Sequence, residues 1–196
     1  MALTNREIAD LFETVADMLQ IKGEVIHRVL AYRNAGDSIR DLPRDLRAIA
    51  AEGTLTEIPN IGETLAAKIT EMLETGQLQF YEKLAKEVPP SLVQVLRING
   101  VGPKKAKLFW QELGITDVTA LEAAARAGKL RDLSGMGAKS EQKIIEGIES
   151  LKRYTGRTAL GTALPAAQAI LDYLMKLPEA SEGAIAGSIR RGRPTI

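Results

Sequence analysis

Three short segments of this sequence carry the residue types needed to hold a phosphate group. Ile58-Pro59-Asn60-Ile61-Gly62, Ile98-Asn99-Gly100-Val101-Gly102 and Leu133-Ser134-Gly135-Met136-Gly137 share one pattern. Each has an apolar residue, a tight turn in which Asn or Gly, an apolar residue and Gly follow one another, and then a helix start. The final glycines lie 40 and 35 residues apart, so the unit recurs. Gly100 and Gly135 suit a left-handed backbone, and Asn60 is the next best residue for one. Ile61, Val101 and Met136 are expected to anchor the turns in the core. The turn amides and the first amides of the next helix then face outward together, a nest that attracts anions and phosphate above all. Pro103 suits a first helical position, and Lys104, Lys105 and Lys107 add cations beside the second turn. Asn60, Gly62, Gly100, Gly102, Lys104 and Lys105 are therefore the candidate phosphate contacts. In the third copy Glu141 stands where the others have Ala66 and Ala106, although Lys139 partly offsets it, so this copy is expected to be structural.

Composition removes most other chemistry. The 196 residues include no cysteine and one histidine, His27. Disulfides, thiolate zinc sites, iron–sulfur clusters and cysteine nucleophiles are excluded, and a histidine-based metal site or catalytic triad has almost nothing to work with. No apolar run approaches the ~18 residues of a membrane span, and Thr4, Asn5, Arg6 and Glu7 do not open a secretion signal. Apolar residues at 45% and charged residues at 26% fit a soluble globular chain. Net charge is only +1, but it is polarised: Glu7, Asp10, Glu13 and Asp17 crowd the start, and Arg190, Arg191 and Arg193 the end. Such polarity suggests an anionic partner on one face.

The elements that must position these turns read as helices. Thr4 with Glu7 forms a capping box, Ile8, Leu11, Phe12, Val15 and Leu19 follow helical spacing, and Gly23 ends the run. A second helix is expected to place Val25, Ile26, Val29 and Leu30 on one face and to stop near Gly36. A third would carry Ile39, Leu42, Leu46 and Ile49, with Pro43 in its first turn. Pro89-Pro90 marks an expected domain boundary, and Gly156, Gly161 and Pro165 mark another near Tyr154–Leu164. A last helix over about Pro165–Leu177 precedes an apolar stretch, Gly183–Ile189, that reads as one strand.

The order of these features resembles family X DNA polymerases. The carriers are His27-Arg28, Ala31-Tyr32-Arg33, the first turn, the second turn continuing as Gly102-Pro103-Lys104-Lys105, and the final Gly187-Ser188-Ile189-Arg190-Arg191-Gly192. The turns look like the helix-hairpin-helix motifs of DNA repair proteins, and the resemblance covers essentially the whole chain. It implies a mainly α fold. Residues 1–88 would be a lyase-like helical domain with the first hairpin, and residues 89–156 a DNA-binding fingers domain with the second and third. Residues 157–196 would be the first helix and strand of a truncated α+β palm.

The resemblance also implies partners and roles. The expected partner is gapped or nicked duplex DNA in base excision and gap-filling repair, with no membrane involvement and a cytoplasmic, nucleoid-associated setting. Lys68 matches a Schiff-base lysine that removes 5′-deoxyribose phosphate, although Glu71 three residues on also describes an ordinary surface ion pair. His27, Arg28 and Tyr32 match a 5′-phosphate pocket, and Thr64 departs from the family at a second phosphate-binding lysine. Sodium or potassium would sit on the carbonyls of Thr56, Ile58 and Ile61, and of Leu96, Ile98 and Val101. Gly187, Ser188 and Arg191 match positions that grip a deoxynucleotide triphosphate. No Asp or Glu follows Glu182, so the palm carboxylates that hold magnesium in a complete polymerase have no counterpart here, and the chain is expected to be a fragment that does not polymerise. A non-catalytic helix-hairpin-helix recruitment module and a purely protein-binding helical domain are the competing readings; a hairpin-class glycosylase ranks below both.

Overall fold

The computed structural model describes residues 3–154, 160–177 and 182–190. Helix α1 (Asn5–Lys22) starts as its sequence dictates: the Thr4 hydroxyl accepts from the Glu7 amide, and the Glu7 carboxylate accepts from the Thr4 amide at 2.7 Å. Gly23 ends it in the left-handed conformation, φ 94°. Ile8, Phe12, Val15 and Leu19 are fully buried, and burial of each such side chain is worth about 1.5–3 kcal/mol.

Helix α2 (Ile26–Arg40) packs along α1 and differs from its sequence reading in two ways. It does not stop at Gly36. That residue is buried inside the helix, where an added Cβ would meet the Ala9 carbonyl at 3.2 Å. Glycine here serves helix–helix approach, so Ile39 ends α2 instead of opening a third helix. The expected apolar face is also largely unused: Val29 is buried, whereas Val25 and Ile26 are 67% and 53% exposed and Leu30 is exposed as well. Arg40 binds Asp10 and Glu13 at 3.0 and 2.8 Å, and Arg33 binds Asp17 at 2.7 Å. These pairs stitch α2 to the acidic side of α1.

Helix α3 (Leu46–Ala51) follows Pro43 and is capped by Asp45. A 3₁₀ turn (Leu55–Glu57) leads through the first hairpin into α4 (Glu63–Thr75), then α5 (Gln79–Glu87). A longer 3₁₀ segment (Pro90–Arg97) leads through the second hairpin into α6 (Pro103–Leu113), and α7 (Val118–Arg126) and α8 (Ala138–Tyr154) follow. Residues 1–148 form one compact unit, with Pro89-Pro90 inside it.

Residues 149–196 form the second unit. Its helix α9 (Leu160–Leu174) holds both Gly161 and Pro165, which were expected to interrupt it. The stretch read as a strand is not one: residues 182–186 are irregular and Gly187–Arg190 is a single helical turn, α10. Among the described residues there is no strand. A lone strand has no ladder to satisfy its amides and carbonyls, which is the physical reason an apolar stretch was not enough. Ser188 lies in α10, while Arg191 lies outside the described residues.

Candidate nucleic-acid interface

The three turns have one construction. The Ile61 amide donates to the Ile58 carbonyl at 3.1 Å, that of Val101 to Ile98 at 3.0 Å, and that of Met136 to Leu133 at 3.0 Å. The residue before each donor is left-handed: Asn60 at φ 65°, Gly100 at 85° and Gly135 at 73°. This is the pattern of a type II turn, in which the third residue needs φ above zero. Ile61 and Val101 are buried and fix the first two turns in the core, whereas Met136 is only half-buried. The Asn60 amide group also donates to the Ser38 hydroxyl at 3.0 Å, tying the first turn to α2.

Each turn ends on a glycine that begins a helix without a side-chain cap in the first two copies. The amides of Gly62, Glu63 and Thr64, and of Gly102, Lys104 and Lys105, donate to no described residue. Gly62 and Gly102 have φ of −87° and −99°, a backbone any residue adopts. A Cβ added at Gly62, Gly102 or Gly137 would meet nothing within 4 Å. The fold therefore does not require glycine at these positions. It leaves bare backbone, free amides and open space together, at positions where Ser, Thr or Asp would have capped the helix.

Gly147 on α8 behaves in the opposite way. Its Cβ would lie 2.9 Å from Ile98 Cγ2 and 3.2 Å from the Asn99 carbonyl. Here glycine lets α8 press on the second turn and hold it, a function the sequence reading missed because Gly147 belongs to none of the repeats.

The lysines of α6 divide their work. Lys104 is exposed. Lys105 Nζ donates to the Gly100 carbonyl at 2.9 Å, bracing the turn. Lys107 Nζ donates to the Lys22 carbonyl at 2.8 Å, at the C-terminal end of α1, and is held there. Clefts of about 720 and 610 Å³ flank Gly102-Pro103, the first lined also by Asp10, Glu13, Asp17 and Arg97. The α1 acids there are already held by Arg40 and Arg33. Burial raises the Asp17 carboxyl above the usual aspartate value although Arg33 opposes it.

The third copy is stabilised from within. Glu141 is 1% exposed. Its carboxylate accepts the Leu130 and Arg131 amides at 3.0 and 3.1 Å and the Arg131 guanidinium at 2.8 and 2.6 Å. The Arg131 bonds hold its pKa below the usual glutamate value against the effect of burial. A carboxylate thus occupies the helix face that Ala66 and Ala106 fill in the other copies, and it pins the loop before the turn.

The second candidate cluster meets at a residue the sequence reading passed over. Phe80, on the first turn of α5, stacks on Tyr32 with ring centroids 5.7 Å apart, and Tyr32 meets Phe12 edge-on at 5.4 Å. Arg28 and Lys68 each lie over Phe80, 5.2 Å from its centroid. The expected Lys68–Glu71 ion pair is absent: Glu71 instead accepts the Gln79 amide at 2.8 Å, at the start of α5. Tyr32 is 4% exposed, and burial pushes its hydroxyl up to about 12 although Arg28 pulls the other way. His27 is exposed on α2, one residue before Arg28. The structure brings together Arg28, Tyr32 and Lys68; Phe80 gave no signal in the sequence because nothing in its spacing ties it to them.

Among the described residues no group of acidic, histidine or cysteine side chains is placed to bind a metal. Among the described residues no helix is long and apolar enough to cross a membrane. The carbonyls of Thr56, Ile61, Leu96 and Val101 accept no hydrogen bond from a described residue, and those of Ile58 and Ile98 accept only the turn amide. These are hard, neutral oxygens of the kind an alkali ion takes.

Comparison with known proteins defines the class first. A helix-hairpin-helix domain family matches residues 3–78, and a SAM-like helix-hairpin-helix tandem family matches residues 92–150. The chain carries helix-hairpin-helix motifs. Its particular likeness is to the DNA polymerase/3′-5′ exonuclease PolX of Bacillus subtilis (strain 168), 32% identical over 191 residues and 97% of this chain. The chain spans 33% of that protein's length. It is also 31% identical over 124 residues to the Holliday junction branch migration complex subunit RuvA of Methylobacillus flagellatus, covering 63% of this chain and 64% of that protein. The RuvA of Clostridium botulinum is 30% identical over 95 residues, 47% of each chain. The hairpin matches and the near-complete alignment with PolX support the reading of this chain as a family X polymerase segment built on helix-hairpin-helix motifs.

Proposed function

We propose that the chain binds DNA through the sugar-phosphate backbone, with the first and second hairpins as its two phosphate grips. The observation that carries this reading is the pair of uncapped helix starts at Gly62 and Gly102, where free amides face open space and no internal packing calls for glycine. A phosphate oxygen approaching there would accept two or three amide hydrogen bonds at once, at the positive end of a helix. Lys104 adds charge without reading sequence. The carbonyls of Thr56, Ile58 and Ile61 in the first hairpin, and of Leu96, Ile98 and Val101 in the second, would hold sodium or potassium, which would supply positive charge beside the amides.

In this reading residues 1–88 and 89–156 are the lyase-like and fingers-like parts of a bacterial repair polymerase, acting on gapped or nicked duplex. Gly187, Ser188 and Arg191 belong to its nucleotide-triphosphate grip. Lys68 is the candidate nucleophile for 5′-deoxyribose phosphate. Its side chain, an ammonium at rest, would give up a proton, add to C1′ and lose water to give a Schiff base; loss of a C2′ proton with cleavage of the C3′–O bond would then release the strand with its 5′-phosphate, and hydrolysis would free the lysine. The test combines two measurements. Titration of gapped, nicked and blunt duplex at low salt should show tighter binding to the gap and a loss of affinity as salt rises. Borohydride should trap an adduct on a 5′-deoxyribose-phosphate end that Lys68→Ala abolishes. Equal binding to all three duplexes with no adduct defeats the polymerase reading.

The similarity to RuvA favours one alternative, a non-catalytic hairpin module that recruits a partner to branched DNA. It predicts salt-dependent binding to four-way junctions, no gap preference and no trapped adduct.

A further inference from the structure

Phe80 lies in no motif of the sequence, yet two cations that belong to different helices converge on its ring. We propose that Phe80 is a positioning residue that seats the Lys68 ammonium and the Arg28 guanidinium for one anionic group, a phosphomonoester at the 5′ end of a DNA strand. This inference rests on the 5′-end reading above and names the residue that makes the site two-handed.

Both side chains are long and, left to themselves, rotamerically free. A carboxylate partner would fix Lys68 but also neutralise it. The first turn of α5 prevents that: the Gln79 amide holds Glu71 at 2.8 Å, and the next residue offers Lys68 an aromatic face instead. A ring orients a cation weakly and leaves its charge and its N–H groups available. A dianionic phosphate, which forms stronger charge-assisted bonds, can then draw both cations from the ring. The ring itself is held by stacking on buried Tyr32, 9° from parallel. Glu24 is the competitor for Arg28, at 3.3 Å. The other oxygen of that carboxylate meets Lys22 at 3.4 Å, so Glu24 divides its charge between two cations.

The experiment compares gapped duplexes whose downstream strand ends in a 5′-phosphate or a 5′-hydroxyl. The wild-type chain should prefer the phosphate by about tenfold. Phe80→Leu keeps apolar bulk and removes the ring face. It should cut the preference about fivefold and leave affinity for the 5′-hydroxyl duplex unchanged. Phe80→Tyr should restore the preference. An unchanged preference in Phe80→Leu, or equal losses on both duplexes, overturns the proposal. A wild-type chain without any preference defeats the 5′-end reading itself, before a variant is made. Where Phe80→Leu does not fold, the wild type decides by NMR: the Lys68 ε and Arg28 δ protons should be shifted upfield by the ring and released on adding the 5′-phosphate duplex. Unshifted protons overturn the seat.

Discussion

The second and third hairpins share a turn and differ in what surrounds it. Around the second, the buried Val101 anchors the corner, α8 braces it through Gly147, and Lys105 bonds its Gly100 carbonyl. Around the third, Met136 is half-buried and the buried charge of Glu141 is spent on Leu130 and Arg131. One corner is held rigid from behind and presented outward; the other spends its strongest interaction inward. The same backbone trace can thus serve as a grip or as a joint, and the residues three to five places into the following helix decide which.

The largest expected effect tests that contrast directly. Gly102→Val should weaken gapped-DNA binding about tenfold or more, by filling the space over amides worth about 1.5–3 kcal/mol per charged contact. Its melting temperature should fall only modestly, because an added Cβ meets nothing within 4 Å there and the cost is that of a poorer helix cap. Gly137→Val should leave binding within about twofold of wild type, since phosphate grips are assigned to the other two copies. Equal losses at both positions would give the third copy a grip of its own. Next in size, Gly147→Ala should destabilise the fold by about 1–3 kcal/mol through overpacking against Ile98 and Asn99, and weaken DNA binding about fivefold as the second turn shifts; a melt and a titration on the same sample check both.

Charge reversal follows. Lys104→Glu should weaken binding several-fold at low salt and flatten the slope of log affinity against log salt by about one to two, whereas Lys139→Glu should change the slope by less. The smallest effect on binding belongs to Glu141→Gln, which should leave DNA affinity unchanged and alter acid sensitivity. The Glu141 pKa is lowered in the folded chain, so its contribution to stability is present above the unfolded glutamate value of about 4.3 and is lost as pH falls through the folded value. Melting curves of wild type should fall in that window, and those of Glu141→Gln should be flatter there.

Much of this was legible in the sequence because the signals are local. The capping box at Thr4, the left-handed Asn60 and Gly100, and the buried Ile61 and Val101 follow from chirality and side-chain chemistry within a few residues. What escaped depended on contacts between distant segments. Gly36 reads as a helix stop until α1 is beside it, and Gly147 reads as nothing until the second turn touches it. Val25 and Ile26 have helical spacing but no neighbour to bury them. Lys68 and Glu71 have the spacing of an ion pair, but the start of α5 takes Glu71 for itself. The strand expected over 183–189 failed for the same reason in reverse: its pattern was right for a sheet that the described residues do not contain.

The Lys107–Lys22 contact has one more consequence. The ammonium of α6 is received by a main-chain oxygen, not by an acid. Peptide carbonyls do not titrate in the range in which proteins stay folded, so this tether between the two hairpin-bearing halves should persist through acidification that opens a carboxylate pair such as Arg44 with Glu52.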